Sequence, residues 1–169
     1  MLESMTQEIV HSAKIEGEEL NRDSVRSSVA RQLGLEFEGL KNSDHYTEGV
    51  VQVMIDAVQH YDMPLDAERL FSWHAALFPT GRSGIHKILV GDWRQGEEPM
   101  QVVSGPLGHE KIHYEAPASK DVPDMMSDFL RWFDSENTLD PLVKTAVMHL
   151  WFTIIDRKSG SAGMPRPIS

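Results

Sequence analysis

Apolar residues recur every three or four positions along most of this chain, and the recurrence predicts helices. Leu2, Met5, Ile9 and Ala13 make a first stripe, with Gly17 placed to stop it. Val25, Val29 and Leu33 make a second, opened by Asn21 or Asp23 and closed by Gly34. Residues 35–46, LEFEGLKNSDHY, read as a loop. Val50, Val51, Met54, Ile55 and Val58 then predict a third helix, ended by the turn before Pro64. Asp66 is a good N-cap for a fourth, AERLFSWHAALF, which Pro79 terminates. Beyond it the pattern changes. PTGRSG (79–84) is a turn cluster, and residues 85–118 carry strand-like pieces: IHKILVGDW, MQVV (100–103) and KIHYEA (111–116). SGPLGHE, between the last two, suits a β-hairpin loop. Helical periodicity resumes with Val122, Met125, Met126, Phe129, Leu130 and Phe133, and Asp140 with Pro141 opens a final helix. The expected fold class is all-α, a mainly helical bundle with one inserted β-hairpin.

Composition narrows the range of partners. A chain of 169 residues can bury the core of a single domain. A formal net charge of -10 argues against a nucleic-acid partner, because phosphates need a basic face. Arg22, Arg26 and Arg31 form a modest basic cluster, expected on a solvated helix face. No apolar stretch reaches the roughly 20 residues of a bilayer span, and MLESMTQEIV lacks the basic start and apolar core of a signal peptide. No membrane partner is expected, and the cytosol is the expected compartment. The absence of Cys rules out disulfides, thiolate ligands and a Cys nucleophile.

The residues taken singly carry little chemistry. The eight His residues include no HExxH pattern. His74 and His149, both on helices, read as hydrogen-bonded packing residues. GRSG (81–84) lacks the GK(S/T) of a phosphate loop and reads as a turn. Glu16, Glu18 and Glu19 read as a solvated helix end. Neither a metal site nor a complete active site is expected.

Longer blocks say more. HSAKIEGEELNRDSVRSSVARQLGL (11–35), LFSWHAALFPTGRSG (70–84) with VGDWR (90–94), and MQVVSGPLGHEKIHYEAP (100–117) together closely resemble the Fic family. The resemblance is to the bacterial type whose own N-terminal helix carries an inhibitory motif. DPLVKTAVMHLWFTII (140–155) resembles the helix that leads into that family's signature. The resemblance covers residues 2–155 and implies a partial Fic-type domain over 1–155. Residues from about 1 to 34 would form the inhibitory region, and 35–155 the core helices and a flap. It also implies descent from protein adenylyltransferases (AMPylases), which move AMP from ATP, with Mg²⁺, onto a hydroxyl side chain of a target protein. The family signature is HPFxxGNGRxxR. Its His acts as general base, its Gly-Asn-Gly turn offers backbone N–H groups to phosphate, and its Arg residues pair with the triphosphate.

That signature should begin at position 156. Asp156 stands where the His would be, Arg157 and Lys158 replace Pro-Phe, Ala162 falls at the Asn and Met164 at the first Arg; only Gly163 coincides. The resemblance therefore implies no catalytic residue between Asp156 and Met164. This chain by itself would bind neither ATP nor Mg²⁺ and would be inactive. A frameshift, a recombination scar or a cloning artefact would each give this junction. Residues 156–169 hold no apolar stripe and are expected to form a non-homologous, disordered tail.

The family's inhibitory pattern, (S/T)xxxE(G/N), matches Ser12, Glu16 and Gly17. In relatives the Glu pairs with the second signature Arg and blocks productive triphosphate binding. Ser12 and Glu16, four apart, share a helix face. The hairpin matches the family's flap, which clamps a target protein's loop by strand addition; Met100, Val102, Val103, Ile112 and Tyr114 would form it. Two further readings stand beside the truncated enzyme. One is a regulatory protein that supplies its inhibitory helix in trans to an intact Fic protein; the other is an inert remnant.

Overall fold

The computed structural model describes residues 1–35, 39, 41–83, 85–97, 101–106, 109, 111–136 and 138–155. They form six α-helices and two short antiparallel ladders, divided between two compact units. One unit is Met1–Pro64 with Glu68–Gly91; the other is Leu65–Ala67 with the chain from Asp92 onward. The mainly helical class with a β-hairpin is the one the sequence predicts.

In the first unit, α1 (Leu2–Ile15), α2 (Arg22–Gln32) and α3 (His45–Gln59) pack their apolar stripes together. Ile9, Val25, Val29, Val51 and Ile55 are buried there, with Leu2, Met5, Leu20, Leu33 and Met54 packed around them. Ser27, Ser28 and Ala30 on α2 are buried too. The Ser27 hydroxyl accepts from the Lys41 amide at 2.9 Å, so the polar atom is satisfied where the helix lies against the following segment. Asn21 caps α2 by accepting from the Ser24 amide at 3.1 Å. Asp44 does the same for α3, accepting from the Thr47 amide at 2.8 Å and the Thr47 hydroxyl at 3.0 Å. That cap starts α3 at His45, two residues inside the segment that reads as loop.

α4 (Ala67–Leu77) runs beside α3 at close range. Gly49 of α3 has room for no side chain: a Cβ there would overlap the Ala76 carbonyl oxygen, and would lie 2.7 Å from its carbon and 3.1 Å from Leu77 Cα. After α4 come β1 (Arg82–Ser83) and β2 (His86–Lys87), a two-residue ladder paired Arg82↔Lys87 and Ser83↔His86. The strand-like run IHKILVGDW contracts to this stub, and the PTGRSG turn supplies its partner.

The second unit contains the predicted hairpin, β3 (Gln101–Ser104) with β4 (Lys111–Glu115), then a 3₁₀ turn (Ser119–Asp121), α5 (Val122–Ser135) and α6 (Pro141–Ile155). Val122, Met126 and Phe129 bury one face of α5. Phe129 meets Trp151 edge-on with centroids 5.7 Å apart and Phe152 at 5.9 Å, and Trp132 lies 5.3 Å from Trp151. These aromatic contacts set α5 and α6 antiparallel. Lys144 is the one Lys or Arg on α6; its ammonium donates to the Glu136 carbonyl at 2.7 Å and sits 4.8 Å over the Phe133 ring. It thereby caps the end of α5. Opposite the aromatic seam, Leu142, Val143, Val147 and Leu150 are exposed. No described helix is long and apolar enough to cross a membrane.

Candidate functional site

The (S/T)xxxE(G/N) match closes α1, and its last residue has a structural task. The chain leaves the helix through Glu16, turns at Gly17 with φ +83°, and returns two amides to the helix. Gly17 N–H donates to the Lys14 carbonyl at 3.1 Å and Glu18 N–H to the Ala13 carbonyl at 2.9 Å. This paired 5→2 and 6→1 arrangement satisfies carbonyls that the helix end leaves open. It requires a left-handed residue at position 17, which Gly and Asn tolerate. α2 ends the same way: Gly34 (φ +68°) donates to the Arg31 carbonyl and Leu35 to that of Ala30. Gly17→Ala is expected to cost about 1 kcal/mol through backbone strain, because open space surrounds the Cβ position. Gly17→Asn should cost less, and the order of the two urea midpoints checks this.

Ser12 is half-buried and its carbonyl accepts from the Glu16 amide at 3.3 Å, so the two do share a helix turn. Glu16 and Ile15 are exposed, and the Glu16 carboxylate makes no hydrogen bond or ion pair among the described residues. The carboxylate is free for an external cation.

The hairpin separates its residues by face. Val102 pairs with Tyr114 and Val103 with Ile112, so β4 carries one extra residue, His113, at a bulge. Val102 and Tyr114 are half-buried, whereas Val103 and Ile112 are exposed, at 46% and 52%. The Tyr114 hydroxyl donates to the Ile154 carbonyl at 2.7 Å, which fixes the hairpin to the last turn of α6. The bulged His113 brings its Nε2 to 2.6 Å from the Ser104 hydroxyl across the strand pair. Met100, the fifth residue of the predicted flap, lies outside the described residues, as do positions 156–169, where a disordered tail and a replaced signature are expected. The Ser12–Gly17 match and the hairpin belong to different compact units. Among the described residues, no three His, Asp or Glu side chains are grouped to hold a metal.

Against these geometries stand the comparisons with known proteins. The family model for a domain of unknown function, DUF4172, matches residues 1–35, which are α1, its closing turn and α2. That domain is Fic-associated. Among solved structures, the chain is similar to a Fic family protein from Desulfovibrio desulfuricans G20, with 20% sequence identity and a TM-score of 0.40. The match covers 95% of this chain and 53% of that one, so this chain spans about half the length of its structural match. No curated protein matches the chain.

The reading of one single residue changes. His149 is exposed, without a side-chain hydrogen bond among the described residues, in contrast to the packing role its apolar helix suggests. The reason is the outward face of α6, which nothing described covers. His74 does pack, edge-on to Phe78 at 5.2 Å. A charged cluster on α3 and α4 has no counterpart in the sequence reading. Arg69 Nε donates to Asp56 Oδ2 at 2.9 Å, Trp73 Nε1 donates to the same oxygen at 2.7 Å, and His60 Nδ1 lies 2.8 Å from Asp56 Oδ1. The Arg69 guanidinium also donates to the carbonyls of Asp56, His60 and Met63 and lies 5.1 Å over the Trp73 ring. Its visible trace is the helical spacing of Asp56 with His60 and of Arg69 with Trp73.

Proposed function

We propose that this chain is the inhibitory-helix, scaffold and flap portion of a Fic-type protein adenylyltransferase, and that residues 1–169 alone do not transfer AMP. The observation that carries the reading is the Tyr114–Ile154 hydrogen bond, which ties the hairpin to the turn of α6 directly before position 156. A flap held there stands beside the place where the family's loop would start. The outward Val103 and Ile112 leave one face of the hairpin open to a target's strand. The Ser12–Gly17 match on α1, within the 35 residues that the family model covers, supports the regulatory half. Residues 156–164 do not supply the His or the Gly-Asn-Gly turn.

Labelled-ATP assays of the chain should give no transfer to itself or to added protein above background. Loss of a general base or of a charge-stabilising loop each costs about a hundredfold or more. In a second protein, HPFxxGNGRxxR and its following helix replace everything after Ile155. That protein should bind ATP, and Glu16→Gly in it should raise transfer about tenfold or more, because a charge-assisted Arg pair is removed. Transfer by the unmodified chain refutes the inactivity. An unchanged rate after Glu16→Gly refutes the inhibitory role.

The exposure of Ile15 and Glu16 favours a second reading, in which α1 is presented in trans to an intact Fic protein. Inhibition of such an enzyme by the chain, lost on Glu16→Gly, is the corresponding result.

A further inference from the structure

We infer that Arg94 is the cation of an oxyanion-binding site in the second unit. Arg94 is 5% exposed, a depth at which a guanidinium is ordinarily matched by a carboxylate. Its partners here are few. One Nη2–H donates to the Pro117 carbonyl oxygen, and no ion pair among the described residues includes it. Its Nε–H has no acceptor, and it is the one buried side-chain nitrogen or oxygen among the described residues left without one.

The surroundings are fixed in place. The Ser119 hydroxyl donates to the Gly96 carbonyl, so Arg94–Gly96 and Pro117–Ser119 are joined by two hydrogen bonds, and Ala116 beside them is 5% exposed. The guanidinium is therefore held with a free donor and an unbalanced charge. A water molecule would satisfy Nε–H and leave the charge uncompensated. An oxyanion answers both, since a carboxylate or phosphate group matches the planar fork and the sign. The overall charge of -10 repels anions from the chain as a whole, so binding here has to come from the local donor set. The site is independent of the adenylyltransferase reading, because it uses none of the inhibitory motif, the hairpin side chains or positions 156–164.

Thermal unfolding of the full chain at pH 7 tests it, in sodium phosphate, sodium acetate and sodium chloride at equal ionic strength. Phosphate, acetate or both should raise the midpoint over chloride by about 3–6 °C at a tenfold excess over the dissociation constant. A response to phosphate alone identifies a tetrahedral anion, and one to acetate a carboxylate. Arg94→Met should abolish the response, and its midpoint in chloride should not fall below that of the unmodified chain. Equal midpoints in all three salts, or a response that persists in Arg94→Met, overturn the assignment. If Arg94→Met does not fold, phosphate line broadening by ³¹P NMR on the unmodified chain and on Arg94→Lys gives the decision. The lysine keeps the charge and loses the fork, so affinity should fall about tenfold or more; equal affinity overturns the site.

Discussion

Gly49→Ala is expected to destabilise the first unit by about 3 kcal/mol, the upper end for overpacked sites. The added methyl would meet backbone, the carbonyl of Ala76 and Cα of Leu77, and backbone cannot rotate away as a side chain can. Relief requires α3 and α4 to separate, which strains the polar contacts one and two turns along, between Asp56 and the Arg69 and Trp73 side chains. In an ordinary exposed helix the same change would stabilise by nearly 1 kcal/mol, because glycine is the poorer helix former. The sign of the effect is therefore the test. A urea midpoint that rises in Gly49→Ala would mean that α4 does not lie against α3 at this position. Amide exchange should quicken in α3 and α4 and stay unchanged in α5 and α6.

Removing the carboxylate at the other end of that helix pair should cost about 2–3 kcal/mol. Asp56→Ala leaves the Arg69 guanidinium, whose side chain is 16% exposed, without its anion, and leaves Trp73 Nε1–H without an acceptor. Breaking a buried pair by removing one partner typically costs about 3–5 kcal/mol; the Asp56 side chain is 32% exposed, which reduces the figure. Arg69→Met should cost less, since the lost charge need not be buried and Asp56 keeps Trp73 and His60. Burial pushes the Asp56 carboxyl up, but hydrogen bonds from Trp73, Arg69 and His60 outweigh this and hold it below the usual range. A depressed carboxyl contributes stability above its unfolded value of about 3.9, and that contribution is lost as pH falls through the folded value. Stability of the unmodified chain should decline below about pH 4, and Asp56→Ala should show a shallower decline.

How far the sequence disclosed this arrangement depends on the kind of interaction. Helix positions were legible because stripes such as Val25–Val29–Leu33 and Met126–Phe129–Phe133 are local periodicities, and because Asn21, Gly17, Gly34 and Pro141 are local signals. The hairpin was legible for the same reason, from two short β-rich runs around a Gly-containing loop. Its bulge was not: the extra His113 follows from which residues pair across the ladder, and pairing is not written in either strand alone. Gly49 gave no warning either, since a glycine within an apolar helix looks like a defect until the neighbouring backbone is known. Asp56 and Arg69 lie 13 residues apart across a loop, and Arg94 and Pro117 lie 23 apart, so both contacts are products of folding. At Ser12–Gly17 the sequence pattern singles out Glu16, and the structure adds the backbone reason for the glycine after it.

The outward row on α6 has a colloidal side. At neutral pH each molecule carries about ten negative charges, and this mutual repulsion opposes contact between copies through the exposed Leu142, Val147 and Leu150. Lys144, already committed to the end of α5, does little to interrupt the row. Near the isoelectric point of about 5.2 that repulsion fades while the apolar row remains. Clustering of the molecules is then governed by concentration and ionic strength, at a pH above the range in which the Asp44 and Asp56 carboxyls, held low by their hydrogen bonds, take up protons.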